Sequence, residues 1–202
     1  MNRIFSTILK WFFGTFGFNA DVLKTEPKIF NSTLEIYKNA IEQFLPTPTK
    51  SHYLFNLRDF AKVIFGICMA DKEKLQNTEQ AVRLWMHEVL RVFSDRLINE
   101  EDRLNLFNIA KDTVNKLWGL NFDKVFEHLD KTINGKKDGK VTTLEEIRGL
   151  LWTDSMSPLG ARKIYEEVID PTRLQKAVEE SLVNYNNTSD KPMDLVLFSF
   201  AV

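Results

Sequence analysis

Apolar residues recur at three- and four-residue spacing along most of this chain, which is the pattern of helices that bury one face. The N-terminal stripe comprises Ile4, Phe5, Ile8, Leu9 and Phe12. A second stripe follows Pro27, a residue suited to the first turn of a helix, and Pro46 and Pro48 close it. Its members are Phe30, Leu34, Tyr37, Ile41 and Phe44. The spacing therefore predicts leading helices within residues 1–48.

Polar caps mark the next two helices. Asn56 with Asp59, and Asn77 with Gln80, both have the spacing of a capped helix start. The stripe after the first cap comprises Leu57, Phe60, Val63, Ile64 and Ile67. The stripe after the second comprises Leu84, Trp85, Val89, Val92 and Phe93. We expect one amphipathic helix to begin at each asparagine.

The helical period continues into the second half of the chain. A stripe runs from Leu104 to Trp118, and Gly119 follows it as a residue that commonly ends helices. Shorter helices are predicted over residues 122–129 and 144–152. All of these segments add to one helical bundle.

The last predicted helix opens at Asp170-Pro171 and runs through Leu182. The final stretch, 193–202 (MDLVLFSFAV), is compatible with a strand and equally with a helix that is cut short. No internal repeat at a fixed period is visible, which argues against a solenoid. The pattern predicts an all-α, multi-helix fold.

Composition excludes several function classes. The 202 residues fit one folded unit or two small ones, and the net charge of −1 points neither to nucleic acid nor to an acidic membrane surface. Cys68 is the only cysteine, so no internal disulfide forms and a reducing compartment is favoured. The apolar N-terminus resembles a signal peptide, but Lys10 interrupts the apolar run and no small-residue cleavage site follows. We expect a packed helix there.

One stretch imitates a zinc motif. HEVLR, residues 87–91, starts like the helix of a zinc protease, but Arg91 stands where the second histidine belongs. His52 and His128 lie far away and in no metal-ligand spacing. We therefore interpret this segment as an ordinary polar helix face.

A second stretch, residues 134–145, imitates a calcium loop of the EF-hand type. Asp138, Gly139 and Glu145 match that loop, yet Lys136 occupies a position where a ligand oxygen belongs. Too few carboxylates remain, and a hairpin between two helices explains the glycines as well. A calcium-responsive helical protein is a third interpretation, and we expect no metal site.

The chain also lacks recognisable catalytic machinery. No G-x-x-x-x-G-K-[ST] phosphate loop and no G-x-G-x-x-G fingerprint occurs in it. No order-based grouping of serine, histidine and aspartate suggests a nucleophile. We expect the chain by itself not to be an enzyme and to hold no cofactor.

One residue stands in an unfavourable place. In SHYLFNLRDF, residues 51–60, the predicted capping box puts Arg58 in the first turn of a helix. A cation beside the positive end of the helix dipole is disfavoured by about 0.3–1 kcal/mol. An anion supplied from elsewhere would offset that cost. The plainer interpretation is a local pair between Arg58 and Asp59, or another surface pair, which would contribute little.

Four segments resemble dynein heavy chains. The first segment, residues 45–67, reads LPTPTKSHYLFNLRDFAKVIFGI and is similar to the lid segment that precedes the fourth AAA+ module of those proteins. Its FNLRDF motif resembles the axonemal type. Three further segments agree in the same order: LWMHEVLRVFSDRLINEEDR (84–103), IYEEVID (164–170) and KPMDLVLFSFAV (191–202). The resemblance covers nearly the whole chain, and residues 131–145 are its least motif-like part.

The resemblance implies a fold and a place in a larger machine. Residues 1–188 would form the helical lid of the third AAA+ module, with leading helices in 1–48 and the bundle that carries Arg58 in 49–188. Residues 189–202 would begin the next module and stop before its phosphate loop. The parent protein would be an ATP-driven, minus-end-directed microtubule motor of cilia and flagella.

The resemblance also implies a role for Arg58. It matches the sensor 2 arginine of AAA+ lids, which faces the terminal phosphate of the nucleotide. ATP or ADP with magnesium would bind in the parent protein, not in this segment alone. The partners would be neighbouring AAA+ domains, the microtubule, and dynein intermediate and light chains, in the cytoplasm, cytoskeleton and axoneme, with no nucleic acid or membrane. The alternative is a free-standing helical interaction domain, with the aromatic N-terminal helix as its partner site.

Overall fold

The computed structural model describes residues 2–129, 143–157 and 160–194. These residues form a helical bundle with one very small sheet. The first helices are α1 (Asn2–Thr15), α2 (Ala20–Leu23), α3 (Glu26–Gln43), α4 (Leu57–Ile67) and α5 (Thr78–Val92). They are followed by α6 (Glu100–Thr113), α7 (Phe122–Val125), α8 (Leu144–Ile147) and α9 (Pro171–Thr188). The predicted all-α class is confirmed.

Short irregular helices join these elements. A 3-10 turn, Ser94–Arg96, follows α5, and a second, Glu127–Leu129, follows α7. The stripe predicted to end at Trp118 continues from α6 as a π-helix, Val114–Trp118. Gly119 then takes a left-handed conformation with φ of 66°, which confirms it as the stop.

The core lies where α3, α4, α5 and α6 pack on one another. α4 lies against α5 and α3 lies against α6, so each amphipathic helix turns most of its predicted stripe to the core. The exceptions Ile41, Leu57 and Leu104 are 41–45% exposed. The largest side chains that are almost fully buried include Tyr53, Phe60, Trp85, Phe93, Phe107 and Phe122. Aromatic residues therefore supply the largest side chains of the core.

The N-terminal helix α1 is apolar on two faces. One face, with Leu9, Phe12 and Phe13, is buried against the bundle. Ile4 is 61% exposed and Ile8 is 41% exposed, so the predicted stripe divides between the two faces. None of the helices in the described part of the chain is long and apolar enough to cross a membrane.

One sequence prediction is wrong. The helix expected over residues 144–152 lasts a single turn, Leu144–Ile147. Trp152–Thr153 forms strand β1 instead, and it pairs antiparallel with strand β2, Glu166–Glu167. Trp152 is 5% exposed, so burial in the core accounts for its apolar character without a helix. Of the C-terminal stretch 193–202, residues 195–202 lie outside the described part.

Candidate functional site

The start of α4 is fixed by the predicted capping box. Oδ1 of Asn56 accepts a hydrogen bond of 2.8 Å from the Arg58 N–H. In return, the Asn56 N–H donates to Oδ2 of Asp59 at 3.0 Å. These two bonds satisfy backbone donors that a helix start otherwise leaves open, so the box holds the first turn in place.

Arg58 lies in that first turn and is exposed. Within the described residues, its side chain takes part in no hydrogen bond and no ion pair. Backbone N–H groups at a helix start and the dipole together favour an anion. The position therefore combines a free guanidinium with a helix end that attracts negative charge.

Asp59, its neighbour, is paired with a different arginine. The Asp59 side chain is 3% exposed and lies against Arg96 of the 3-10 turn after α5. Nη2 of Arg96 donates to Oδ1 at 2.6 Å, and Nη1 donates to Oδ2 at 3.0 Å. This is the two-pronged geometry in which a guanidinium binds a carboxylate best. The expected alternative of a local Arg58–Asp59 pair is therefore wrong.

The charge of Asp59 is stabilised in spite of its burial. Burial alone would raise the pKa of this carboxyl, but the hydrogen bonds from Arg96 and from the Asn56 N–H outweigh that effect. The positive charges of Arg96 and Lys62 act in the same direction, and the pKa lies below its ordinary value. Nζ of Lys62 lies 3.6 Å from Oδ1 of Asp59. Asp59 is thus an anion whose charge Arg96 balances at close range.

Arg96 also holds the chain that leads into α4. Its Nη1 donates to the carbonyl oxygen of Leu54 at 2.9 Å, and its guanidinium lies 5.1 Å from the centre of the Phe55 ring. In addition, Nε2 of His52 lies 3.1 Å from the Arg96 carbonyl oxygen, which accepts the hydrogen bond. One arginine therefore joins the loop and the first turn of α4 to the end of α5.

Tyr53 supports the same loop from the core side. Its hydroxyl donates to Oδ2 of Asp102 at 2.9 Å and accepts the N–H of Ile98 at 2.9 Å. Nζ of Lys50 lies 2.5 Å from the same Asp102 oxygen. Because Tyr53 is 2% exposed, these bonds tie the loop to α6 from inside the molecule.

An apolar pocket opens beside this loop. Its volume is about 310 Å³. It is lined by Ile41, Phe44, Leu45, Pro46, Tyr53, Leu54, Phe55 and Asn56. The pocket therefore reaches Asn56, two residues before Arg58.

The zinc-like segment HEVLR attaches α5 to the segment that contains the small sheet. Nδ1 of His87 donates to the carbonyl oxygen of Leu150 at 3.1 Å, so it carries the ring hydrogen. Oε1 of Glu88 accepts a hydrogen bond of 2.7 Å from the hydroxyl of Tyr165. Both residues are buried on α5, and both hold the segment that contains the small sheet.

Ion pairs add to that attachment. Nε of Arg83 on α5 lies 2.9 Å from Glu167, and Nζ of Lys74 lies 2.5 Å from Glu166. Both carboxylates belong to β2, so the strand is held along its length. Polar side chains therefore fasten β2 to the bundle, while Trp152 of β1 packs in the apolar core.

Metal ligands do not gather in the described part of the chain. No group of three or more His, Cys, Asp or Glu side chains there has the arrangement to hold an ion. Asn134, Lys136 and Asp138 of the calcium-like loop lie outside the described residues. Glu145 falls within α8, where the neighbouring Glu146 and Thr143 form a capping box.

Comparison with known proteins agrees with this architecture. The model of the AAA+ lid domain family matches residues 29–132, about half of the chain, and this range includes Arg58, Asp59 and Arg96. The chain belongs to the AAA+ lid domain family. The lid therefore carries both the free arginine and the pair beside it.

Known relatives place this AAA+ lid among dynein heavy chains. Dynein axonemal heavy chain 3 of Homo sapiens and of Mus musculus are each 43% identical to it over 202 residues. Dynein axonemal heavy chain 12 of Homo sapiens is 38% identical over 204 residues. The chain spans 5–6% of the length of these relatives. The predicted kinship with dynein heavy chains is confirmed.

Sequence reasoning missed the partner of Asp59. The sequence indicates Asp59 as a helix cap and as a possible local partner of Arg58, whereas Arg96 lies 37 positions away in the chain. No local spacing links the two residues. A buried acid that caps a helix start and is followed by an apolar run is a weak signal that a cation elsewhere must meet it.

Proposed function

We propose that this AAA+ lid couples the nucleotide state of its module to the ring of an axonemal dynein heavy chain, with Arg58 as the residue that meets the terminal phosphate of ATP. The observation that supports this most strongly is the free, exposed guanidinium of Arg58 at a capped helix start. The neighbouring acid is already paired with Arg96, so Arg58 has no local counter-ion in that turn.

The chemistry of the contact is simple. A guanidinium presents a fork of N–H donors that matches phosphate oxygens, and the helix end adds further positive potential. If Arg58 binds ATP and not ADP through the γ-phosphate, it interacts differently with the two nucleotide states. Such a difference can bias a hinge between an open and a closed lid.

The larger arrangement is part of the same proposal. Residues 1–188 form the lid of the third AAA+ module, and residues 189–202 begin the fourth. Magnesium and ATP or ADP bind to the module's large domain, which carries the phosphate loop. The neighbouring AAA+ domains are the immediate partners, and the whole heavy chain, with its intermediate and light chains, moves along microtubules of the cilium or flagellum.

Lid closure in the complete heavy chain tests this function. A fluorophore pair would span the lid and the large domain of the third module, with the phosphate loops of the other modules disabled. A non-hydrolysable ATP analogue should close the lid and ADP should not. Arg58→Ala should raise the analogue concentration needed for half-closure at least tenfold.

The matched control is Arg173→Ala. Arg173 is also an exposed arginine in the first turn of a capped helix, α9, but it belongs to another part of the chain. Its removal should leave closure unchanged. Closure that is equally sensitive to both substitutions, or to neither, would contradict a specific role for Arg58.

A second candidate function rests on the exposed face of α1. Trp11 is 61% exposed and Phe16 is 50% exposed, beside the exposed Ile4 and Ile8. Exposed apolar clusters of this kind often mark contact sites. A free-standing interaction domain would use this face and would not need Arg58. Replacement of Trp11 by Ser would then abolish its partner contact, while Arg58→Ala would change nothing.

A further inference from the structure

We propose that Arg96 is a positioning residue for Arg58, which keeps the first turn of α4 fixed and its negative charge balanced so that a phosphate can approach. This inference rests on the proposed function of Arg58. It concerns a residue that touches no nucleotide and acts through Asp59 and the loop before α4. Substitution of Arg96 should therefore weaken the response to nucleotide even though Arg58 is still present.

The first step is the charge of Asp59. This carboxylate lies next to Arg58 in the chain and within the turn that a phosphate would approach. An unbalanced anion there would repel phosphate and cancel the attraction of Arg58. Arg96 binds both carboxylate oxygens, at 2.6 and 3.0 Å, so the pair carries no net charge.

The second step is the geometry of the helix start. Arg96 also donates to the Leu54 carbonyl oxygen at 2.9 Å and lies over the Phe55 ring. Through Asp59 it reaches Asn56, the capping residue. A single guanidinium thus holds residues 54–59, which include Arg58, and a sensing group acts best when its support is rigid.

The third step is a comparison with lysine. A lysine at position 96 would keep one positive charge but would lose the planar fork that binds both oxygens. It would not reach Leu54 and both oxygens of Asp59 at once. Arg96→Lys therefore separates fixed geometry from charge alone, and it is the mildest available change.

The experiment uses the closure assay in the complete heavy chain. Arg96→Lys should raise the ATP-analogue concentration for half-closure about three- to tenfold, with the response to ADP unchanged. Arg96→Ala should raise it further, because Asp59 is left without its counter-charge. Arg83→Lys is the control, since Arg83 pairs with Glu167 of β2 at 2.9 Å at similar burial but has no hydrogen bond or ion pair to α4 among the described residues. It should leave closure unchanged.

A rescue separates positioning from mere support of the fold. Asp59→Asn removes the negative charge but keeps an amide oxygen that can still accept the Asn56 N–H. Added to Arg96→Ala, it should lower the half-closure concentration again by at least threefold. The thermal midpoint should recover in either case, because the added change removes an unpaired buried charge. If the midpoint recovers but the half-closure concentration does not, Arg96 only supports the fold, and the positioning role is overturned.

The two proposals fail in different ways. If Arg58→Ala leaves half-closure unchanged, the proposed function is wrong, and the inference falls with it. If Arg58→Ala shifts half-closure but Arg96→Lys does not, only the positioning role is overturned. The thermal midpoints of all variants show whether each one folds. If Arg96→Ala alone does not fold, Arg96→Lys and the double variant Arg96→Ala/Asp59→Asn still test the positioning role.

Discussion

The hydroxyl of Tyr165 donates a hydrogen bond of 2.7 Å to Oε1 of Glu88, which joins the small sheet to α5. Burial raises the pKa of Glu88 to about 7, although Tyr165 and Arg91 act in the opposite direction. The adjacent His87 is buried too, and burial lowers its pKa to about 4. Two neighbouring residues therefore titrate with opposite effects on stability.

The signs follow from which state binds more protons. Folded Glu88 holds a proton that the unfolded chain has lost, so its contribution to stability falls as the pH rises from about 4.5 to 7. Folded His87 lacks a proton that the unfolded chain holds, so its contribution rises between pH 4 and 6.5. The two contributions, each on the order of 3 kcal/mol at 1.36 kcal/mol per pKa unit, largely cancel over the shared range.

The first prediction is that single substitutions uncover these opposed slopes. Glu88→Gln keeps an acceptor for Tyr165, and its free energy of unfolding should rise steadily from pH 4 to 6.5. His87→Gln should show the reverse, with stability falling from pH 4.5 to 7. Urea unfolding across this range measures both. Profiles parallel to that of the unchanged chain would contradict the burial of these two groups.

The second prediction concerns Gly66, which faces Glu88. A Cβ at this position would lie 1.9 Å from Oε2 and 2.2 Å from Cδ of Glu88. Gly66→Ala should therefore lower the free energy of unfolding by about 1–3 kcal/mol through overpacking. Gly14→Ala is the control, because a Cβ there meets no atom within 4 Å. It should be neutral or slightly stabilising, as alanine favours a helix.

A double-mutant cycle checks the cause. In a Glu88→Ala background the crowded side chain is absent, so Gly66→Ala should cost much less than it does alone. Equal costs in both backgrounds would mean that the contact with Glu88 is not the reason.

Local chemistry was predictable from the sequence, whereas long-range pairing was not. The capping box of Asn56 and Asp59, and the stop at Gly119, follow from residue types at short fixed spacing. The sheet was missed because strands of two residues show no period and Trp152 follows an apolar pair that resembles a helix face. The partner of Asp59 was missed because only the packing of α4 against α5 brings Arg96 to it.

The third prediction separates a sensing arginine from a structural one. Arg58→Ala should leave the thermal midpoint of the 202-residue chain unchanged or slightly higher, since an exposed cation at a helix start is removed. Arg96→Ala should lower the free energy of unfolding by about 3 kcal/mol, because Asp59 stays buried without a partner. Surface substitutions usually change the free energy of unfolding only slightly. If Arg58→Ala lowers it by more than about 1 kcal/mol, Arg58 has a structural role.

The fourth prediction concerns calcium. Lys136 occupies a ligand position of the calcium-like loop, so micromolar calcium should leave the thermal midpoint unchanged. Magnesium at the same concentration is the control. A calcium-dependent rise that Glu145→Gln removes would instead support the EF-hand alternative.

The fifth prediction is the affinity of the third module for nucleotide, which tests the role of Arg58 most directly. Equilibrium binding of a non-hydrolysable ATP analogue and of ADP would be measured in the complete heavy chain, with the other phosphate loops disabled. Arg58→Ala should weaken binding of the analogue by about 1.5–3 kcal/mol, which raises its Kd roughly 10- to 150-fold, because a charge-assisted contact is lost. ADP should bind as before. An unchanged affinity for the analogue, or an equal loss for ADP, would contradict a contact between Arg58 and the γ-phosphate.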